Sequence, residues 1–199
     1  MYALVEDGSI SKLITNPKAM VIGDVRYPAK IFQLWSQSEK ESIGIYEIVV
    51  DKTNYKDPEY YNNTDSSYSF ADGQVTESWG TATAKELEDR NATDKDGVEL
   101  DPIVVIDGLK TDKKRIIKQQ ASGLLEKTDW HNHKALDDET YTIPDNIKTY
   151  RANVRAKSNE MESQIDACTT VEQLKTLHTY TITDGVQSRP LGELPTLEI

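Results

Sequence analysis

Two histidines separated by a single residue are the best candidates for metal ligands in this sequence. In the sequence, His131 and His133 are near three carboxylates, and imidazole and carboxylate groups both bind first-row transition metals. The carboxylates are those of Asp129, Asp137 and Asp138. Side chains at positions i and i+2 of a loop need not converge, and the remaining histidine, His178, is far away in the sequence. A solvated polar loop is therefore the favoured interpretation, a metal site shared by copies in an oligomer is the alternative, and no cofactor is predicted.

Carboxylates in closely spaced pairs are the other groups whose type permits catalysis, because one can act as a general acid and the other as a general base. Such pairs occur at Glu86 and Glu88, Asp94 and Asp96, and Glu160 and Glu162. Acid–base catalysis needs carboxylates held in a cleft with displaced pKa values, whereas these pairs lie in charged runs typical of solvated surfaces. The sequence also has no nucleophile elbow, phosphate-binding loop or dinucleotide fingerprint. We therefore predict that the chain is not an enzyme.

A cluster of tyrosines is the clearest candidate for a partner-binding site. The residues are Tyr55, Tyr60, Tyr61 and Tyr68, in a stretch rich in Asn, Asp and Ser. Tyrosines in such loops bury a large contact area at low entropic cost and are common in protein interfaces. The alternative is that these rings cover the small core of a β-rich domain.

The composition indicates an acidic protein with a thin core. Apolar residues make up 37% of the 199 residues, below the roughly 45–50% of typical globular domains, which favours an elongated or partner-bound molecule. The net charge of -11 would repel nucleic acids and anionic membranes, so neither is expected as a partner. The first ten residues lack signal-peptide features, no stretch suits a membrane span, and the chain has one cysteine. We expect a soluble protein made in a cytoplasm.

The first ninety residues predict a small β-rich module with one short helix. Short β-compatible runs flank Asp7-Gly8 and again Asp72-Gly73, and both dipeptides favour tight β-hairpin turns. Apolar residues at helical spacing predict one helix over residues 31–41, and a β-branched run predicts a buried strand over residues 45–50. Residues 82–90 suit a helical turn or two.

A linker over residues 91–109 is predicted to lead into a helical hairpin over residues 110–177. The first helix, capped by Thr111, would end near Lys127, with Ile116 on its apolar stripe and Lys113 outside. A polar connection would lead to a second helix from Pro144 to Cys168. An apolar stripe at spacings of three, four and seven residues marks the inner side of the second helix. Its members are Ile147, Tyr150, Val154, Met161, Ile165 and Cys168.

The C-terminal segment contains a third helix and an arm. Thr170 and Gln173 suit a capping box for a short helix that ends near Leu177. Residues 178–199 contain two prolines and few apolar side chains, which predicts an extended arm, or an arm ordered only against a partner. Together these elements predict an α+β fold with a β-rich N-terminal module over residues 1–90.

The predicted helical hairpin resembles one that recurs in tailed bacteriophages. The resemblance covers roughly residues 110–177 and rests on four elements in order, Leu124-Leu125, Thr128-Asp129-Trp130, Ile143-Pro144 and Tyr150-Arg151. It is strongest in the pattern Leu-Leu-x-x-Thr-Asp-Trp. The hairpin is similar to that of proteins described as phage tail assembly chaperones. The N-terminal ninety residues resemble modules attached to this hairpin through shorter pieces.

The resemblance implies a non-catalytic protein that binds phage tail or tail-fibre subunits. It would act in the host cytoplasm during assembly, as an assembly chaperone or a fibre-attachment factor, and a homo-oligomer is allowed. The alternative is a permanent structural component of the virion tail or baseplate, such as an adaptor or fibre protein. The chain departs from shorter relatives in its polar insertion after Trp130 and in its extension beyond Leu177.

The residues at the corner of the helical hairpin have a physical interpretation of their own. Thr128 or Asp129 can bind the backbone groups left exposed where the first helix ends, and Trp130 can lie over the seam between the helices beside Tyr150. We call these four residues the clasp. A buried Trp130 would make Trp130→Ala cost roughly 3–5 kcal/mol.

Overall fold

The structure is a computed structural model that describes residues 1–197 of the chain. It is 34% helical and 26% strand, with a β-rich N-terminal part and C-terminal helices, which confirms the predicted α+β class. The chain divides into two compact units, Met1–Thr83 and Ala84–Ile199. The division falls a few residues before the predicted boundary at residue 90. Within the described residues, no helix is both long enough and apolar enough to cross a bilayer.

The first unit contains a five-stranded sheet. Its elements, in chain order, are β1 (Tyr2–Glu6), β2 (Ser9–Ile14), β3 (Met20–Ile22), β4 (Val25–Tyr27), α1 (Ile31–Leu34), α2 (Gln37–Glu41), β5 (Ile45–Asp51), β6 (Tyr61–Asn62), β7 (Ser66–Ala71) and β8 (Gln74–Trp79), with β9 (Thr83–Ala84) at the unit boundary. The sheet has the order β2-β1-β5-β8-β7. Strands β5 and β8 run parallel, and the other neighbours are antiparallel.

Both predicted β-hairpins are present. Strands β1 and β2 turn at Asp7-Gly8, strands β7 and β8 turn at Asp72-Gly73, and all four residues have positive φ angles. Positive φ at both central residues matches the right-handed twist of the flanking strands, and an Asp-Gly pair accommodates it at low cost.

Two small cores lie on opposite faces of this sheet, because successive strand residues point to opposite sides. Leu4 belongs to one face, and its neighbours Ala3 and Val5 belong to the other. The first core comprises Leu4, Ile14, Ile31, Phe32 and Ile45, and the second comprises Ala3, Val5, Ile48 and Val75.

Two predictions for the first unit were wrong in detail. The single helix predicted over residues 31–41 is two short helices, because Trp35 adopts an extended conformation and Ser36 caps α2 in a capping box with Glu39. The serine side chain offers the backbone an alternative to continuing the helix. The predicted buried strand exists as β5, but Val49 and Val50 are 45% and 48% exposed.

The second unit is mainly helical. Its elements are β10 (Arg90–Asn91), β11 (Val105–Ile106), α3 (Leu109–Glu126), α4 (Asp129–Asp137), α5 (Asp145–Ala167), α6 (Val171–His178), β12 (Thr181–Thr183) and β13 (Val186–Ser188). Helices α3 and α5 pack together as the predicted helical hairpin. All six residues of the predicted stripe on α5 and its C-cap are buried, and Thr170 and Gln173 form the predicted capping box.

The predicted linker is instead ordered structure. No helix occurs over residues 82–90, and Asn91 and Val105 pair in the β10–β11 ribbon. The Asp94 carboxylate accepts hydrogen bonds from the backbone of Asp96 and Val98, which fixes a turn. Such local side-chain bonds can order a polar segment that has no hydrophobic periodicity.

Helix α3 begins two residues before the predicted cap Thr111. Its N-cap is Gly108, where a Cβ atom would lie 2.4 Å from the carbonyl of Glu88. This close approach of two backbone segments requires glycine, since a methyl group would overlap the carbonyl. Lys113, predicted on the outside, is buried, and Ile116, predicted inside, is 43% exposed.

The C-terminal arm folds back onto the helices instead of extending. Strands β12 and β13 form a hairpin, and beyond it Leu191 is fully buried. Leu194 and Leu197 pack against the cluster of Ala121, Tyr150 and Val154 between α3 and α5. The sequence pattern does not predict that these leucines are buried, because they show no helical or strand periodicity. Residues 198–199 of the predicted arm lie outside the described residues.

Candidate functional site

The corner between α3 and α4 is held by hydrogen bonds to the end of α3. The Thr128 hydroxyl donates to the Leu125 carbonyl at 2.9 Å, and Thr128 is only 2% exposed. The last carbonyls of a helix have no partner within the helix, so a side-chain donor satisfies one of them. This geometry agrees with the role expected of Thr128 in the clasp.

Arg151 is the residue of this corner that sequence reasoning missed. Its guanidinium donates to the Leu125 carbonyl at 2.8 Å and to the Thr128 hydroxyl at 2.7 Å, and it forms an ion pair with Asp129 at 2.7 Å. The Arg151 side chain is 9% exposed. A planar guanidinium can bind several acceptors at once, which suits it to join two segments. The signal was the Tyr150-Arg151 pair of the resemblance, in which only Tyr150 was given a role.

Trp130 does not lie over the helical seam. Its side chain is 54% exposed, and its ring stacks on the imidazole of His131 with centroids 3.7 Å apart. The predicted polar connection is helix α4, which turns His131 inward and leaves Trp130 on the surface. Tyr150 occupies the seam instead, buried against Ala121. The clasp is therefore completed by Arg151 rather than by Trp130.

The two histidines of the candidate metal site do not converge. His131 is 8% exposed and one of its ring nitrogens bonds with the Tyr141 hydroxyl, whereas His133 is exposed. Positions i and i+2 lie on different sides of a helix, so α4 separates the imidazoles. Over residues 1–197, no group of three or more potential ligands is close enough to hold a metal ion.

The α4 segment presents two large apolar side chains to solvent. Trp130 is 54% exposed and Leu136 is 82% exposed. The ammonium of Lys134 lies 4.4 Å from the centre of the Tyr141 ring, so a cation and aromatic rings share this surface. Tryptophan is enriched among the residues that contribute most to protein binding. This surface is one that a protein partner can use.

The four tyrosines occupy different environments. Tyr60 and Tyr61 are 3% and 7% exposed, so they belong to the interior of the first unit. Tyr68 is half-buried and its hydroxyl donates to Glu77 at 2.8 Å. Tyr55 alone of the four has an exposed side chain, 39% accessible and packed edge-on against Trp79. Of the proposed cluster, only Tyr55 is exposed enough to offer part of its ring to a partner.

A second exposed apolar surface lies in the segment predicted to be a linker. Ile103, Val104, Val105 and Ile106 are 63%, 48%, 55% and 41% exposed. We call these four residues the β11 run. Consecutive exposed apolar residues are unusual unless they serve a function. The signal in the sequence was four consecutive β-branched residues, which predict a strand, but the polar residues before them led to the linker assignment.

Four of the six carboxylates considered for catalysis bind groups within the second unit. Glu88 pairs with Lys110, and Asp94 fixes the turn described above. Glu160 pairs with Lys157 on its own helix. Glu162 pairs with Lys118 at 3.1 Å and so joins α5 to α3. These groups stabilise turns and helix contacts.

Cys168 lies in an open groove of about 550 Å³ between α5 and α6. Ala167, Leu177 and Pro190 contribute apolar surface to the groove. Burial raises the pKa of the Cys168 thiol, partly offset by the nearby charge of Lys110. The thiolate is the nucleophilic form, so a raised pKa makes this cysteine a poor nucleophile.

Asp89 carries the clearest electrostatic effect near the start of α3. Its carboxylate accepts hydrogen bonds from the Gly108 N–H at 2.7 Å and from the Thr111 hydroxyl at 2.9 Å. These bonds lower the pKa of Asp89, the backbone bond contributing most. The carboxylate joins the segment before β10 to the first turn of α3, where negative charge is favourable.

We expect Asp89 to make the stability of the second unit depend on acid pH. A carboxyl whose pKa is lowered by folding contributes stability above its unfolded pKa of about 3.9, and the contribution is lost as the pH falls through the folded-state pKa. Asp89→Asn should reduce the fall in the free energy of unfolding at acid pH, as measured by urea unfolding at several pH values. Asp137→Asn, an exposed residue at the end of α4, is the control. If Asp89→Asn keeps the same dependence of the free energy of unfolding on acid pH, this role of Asp89 is contradicted.

No protein-family model, curated protein or solved structure matches this chain.

Proposed function

We propose that this chain is a non-catalytic bacteriophage tail-associated protein that binds tail or tail-fibre subunits, as an assembly chaperone or a fibre-attachment factor. The observation that supports it most is the α3–α4 corner, which contains the residues of the Leu-Leu-x-x-Thr-Asp-Trp pattern. Thr128 and Asp129 are both bound to Arg151. Trp130 is left exposed at this corner.

The polar residues of this pattern and Trp130 have different environments, and this difference favours a binding role for Trp130. The polar side chains satisfy the end of α3 and link it to α5, so their presence is explained by stability. An exposed tryptophan is not explained in that way, because its large apolar surface remains in contact with water. Aromatic residues at interfaces recover this cost when a partner covers them.

The chemistry of the remaining surface supports a protein partner. The net charge of -11 disfavours nucleic acid and anionic membranes as partners. Four of the six carboxylates in the closely spaced pairs bind lysines or backbone groups, which supports a non-enzymatic role. Assembly in the host cytoplasm is the setting that this function requires.

A permanent place in the virion tail or baseplate is the alternative function. It is favoured by the β12–β13 hairpin, where Ile182 and Val186 are 75% and 66% exposed. Apolar residues on an exposed hairpin suit a contact that stays covered after assembly. In this case neighbouring tail subunits, or further copies of the chain, would cover the hairpin.

Quantitative mass spectrometry of gradient-purified phage particles and of the infected-cell lysate distinguishes the two functions. A chaperone should be abundant in the lysate and missing from particles. A structural component should be present in particles at a fixed multiple of about three or six, as the symmetry of closed assemblies requires. Absence of tail proteins from material that copurifies with the tagged chain would contradict both.

Trp130→Ala should weaken partner binding while leaving the fold almost intact. Because Trp130 is half-exposed, we expect a loss of about 1 kcal/mol or less in the free energy of unfolding, mainly from the stacking on His131. Recovery of tail subunits with the tagged variant should fall severalfold. His133→Ala, an exposed change on the same helix, should alter neither quantity. A loss near the 3–5 kcal/mol expected of a buried ring, or unchanged recovery, would contradict this assignment.

A further inference from the structure

We propose that the β11 run, Ile103–Ile106, binds a partner by strand addition, and that the partner is an extended apolar segment flanked by lysine or arginine residues. The inference rests on the proposed function and deepens it, because it names a surface and the chemistry of the segment that the surface would bind.

Among residues 1–197, one edge of the β11 run has no strand paired to it. Ala92 donates its N–H to the Val104 carbonyl at 2.7 Å, and Arg90 pairs with Ile106. Hydrogen-bonding groups of an antiparallel strand alternate between its two edges, so Val104 and Ile106 face β10. The backbone groups of Ile103 and Val105 therefore face outward, where a further strand can pair with them.

The side chains of the β11 run are uncovered on both faces of its two-stranded ribbon. Alternate residues of a strand point to opposite faces, and both Val104 and Val105 are about half exposed. A two-stranded ribbon with bare faces is only marginally stable, and a third strand would add hydrogen bonds and side-chain contacts. Addition of a strand to such an edge is a common mode of peptide recognition.

The charges around the β11 run favour a basic partner. Residues 94–107 include five carboxylates and one lysine, and Asp101 and Asp107 stand on either side of the run. Asp101 forms no ion pair within the described part of the chain, and Asp107 reaches Arg115 only at 4.0 Å. Basic residues at the ends of an added strand would lie beside these carboxylates.

A second copy of this chain is a poorer occupant of the same edge. Pairing two β11 runs would bring Asp101 and Asp107 of each copy close to those of the other. Like charges placed across neighbouring strands destabilise the pairing. Charge complementarity therefore favours a different, basic chain over self-association.

Nine-residue synthetic peptides test this inference on the isotope-labelled full chain. The first probe is Lys-Lys-Thr-Val-Thr-Val-Thr-Lys-Lys, and the second replaces every lysine with glutamate. The third and fourth are the lysine peptide with N-methyl groups on one edge of its backbone or on the other. We expect the lysine peptide to bind about tenfold more tightly than the glutamate peptide. Equal binding of the two peptides, or tighter binding of the glutamate peptide, would overturn the charge argument.

Amide exchange locates the binding edge residue by residue. The lysine peptide should slow exchange of the Ile103 and Val105 amides by about tenfold, while the Ile106 amide, which faces β10, should change little. N-methylation of the peptide edge that pairs with β11 should abolish the protection, and methylation of the opposite edge should not. Protection confined to other residues would overturn strand addition at this edge.

Charge reversal of the flanking residues supplies a matched test. In Asp101→Lys/Asp107→Lys the preference should switch to the glutamate peptide. Glu126→Lys/Glu139→Lys makes the same change in net charge at exposed residues of the same unit and should keep the lysine preference. An unchanged preference in the first variant would overturn the proposal.

Two further outcomes separate this inference from its alternatives. Protection of Val105 that rises with protein concentration without peptide, together with dimers in sedimentation, would mean that a second copy occupies the edge and would overturn the basic partner. Recovery of tail subunits without any peptide binding would overturn the inference while leaving the proposed function in place. Peptide binding without recovery of tail subunits would contradict the proposed function instead.

Discussion

Replacing Arg151 with alanine is expected to lower the free energy of unfolding of the helical unit by about 2–4 kcal/mol. The guanidinium is 9% exposed and bonds to the Leu125 carbonyl, the Thr128 hydroxyl and the Asp129 carboxylate. Alanine would leave the hydroxyl of Thr128, which is 2% exposed, without its donor, and would open a cavity at the corner. Asp129 is 45% exposed and can be hydrated again, which limits the loss.

Urea unfolding followed by circular dichroism at a helix-sensitive wavelength measures this effect. Arg155→Ala is the matched control, because Arg155 lies one turn further along α5 and is exposed. It should change the free energy of unfolding by no more than about 0.5 kcal/mol. Arg151→Lys should recover only part of the loss, since an ammonium cannot bind the three acceptors in one plane. Equal effects of Arg151→Ala and Arg155→Ala would contradict the role of Arg151.

Leu191→Ala is the second substitution with a large expected effect. Leu191 has no exposed surface, and its N–H donates to the Leu177 carbonyl at 3.0 Å, which fixes the arm at the end of α6. Removing three buried carbon atoms from such a site costs about 2–5 kcal/mol, depending on how far the surroundings relax. We expect the value in the lower half of that range, because the site lies in a terminal segment that can adjust.

The control for the arm is Ile182→Ala in the same segment. Ile182 is 75% exposed, so its truncation should cost little stability. The two variants should therefore differ in their urea midpoints, and amides of α6 should exchange faster in Leu191→Ala only. If both variants unfold like the unsubstituted chain, the arm does not pack on the helices in solution.

The elements that sequence predicted well are those specified by short-range spacing. Helix α5 was located from Pro144 at its start and a stripe from Ile147 to Cys168, and the structure buries every member of that stripe. The two Asp-Gly turns and the capping box at Thr170 were likewise encoded within four residues. Such features depend on residues close together in the chain, so the sequence signals them directly.

The elements that sequence missed depend on residues far apart in the chain. Pairing of Asn91 with Val105 turned a predicted linker into a ribbon, and Gly108 begins α3 because another backbone segment passes close to it. No periodic pattern in either segment reports such a contact. The same reason explains why the arm around Leu191 was expected to be extended.

The candidate site likewise has features that follow from local sequence and features that depend on distant contacts. The sequence by itself determined the α+β class, the position of α5 and α6, the acidic surface, and a hairpin corner that contains Thr128, Asp129 and Trp130. Only the tertiary structure decided that Arg151 joins this corner, that Trp130 faces solvent and that the β11 run has an open edge. Spacing along a chain states which residues share one face of an element, but which face is covered depends on the other elements that pack against it.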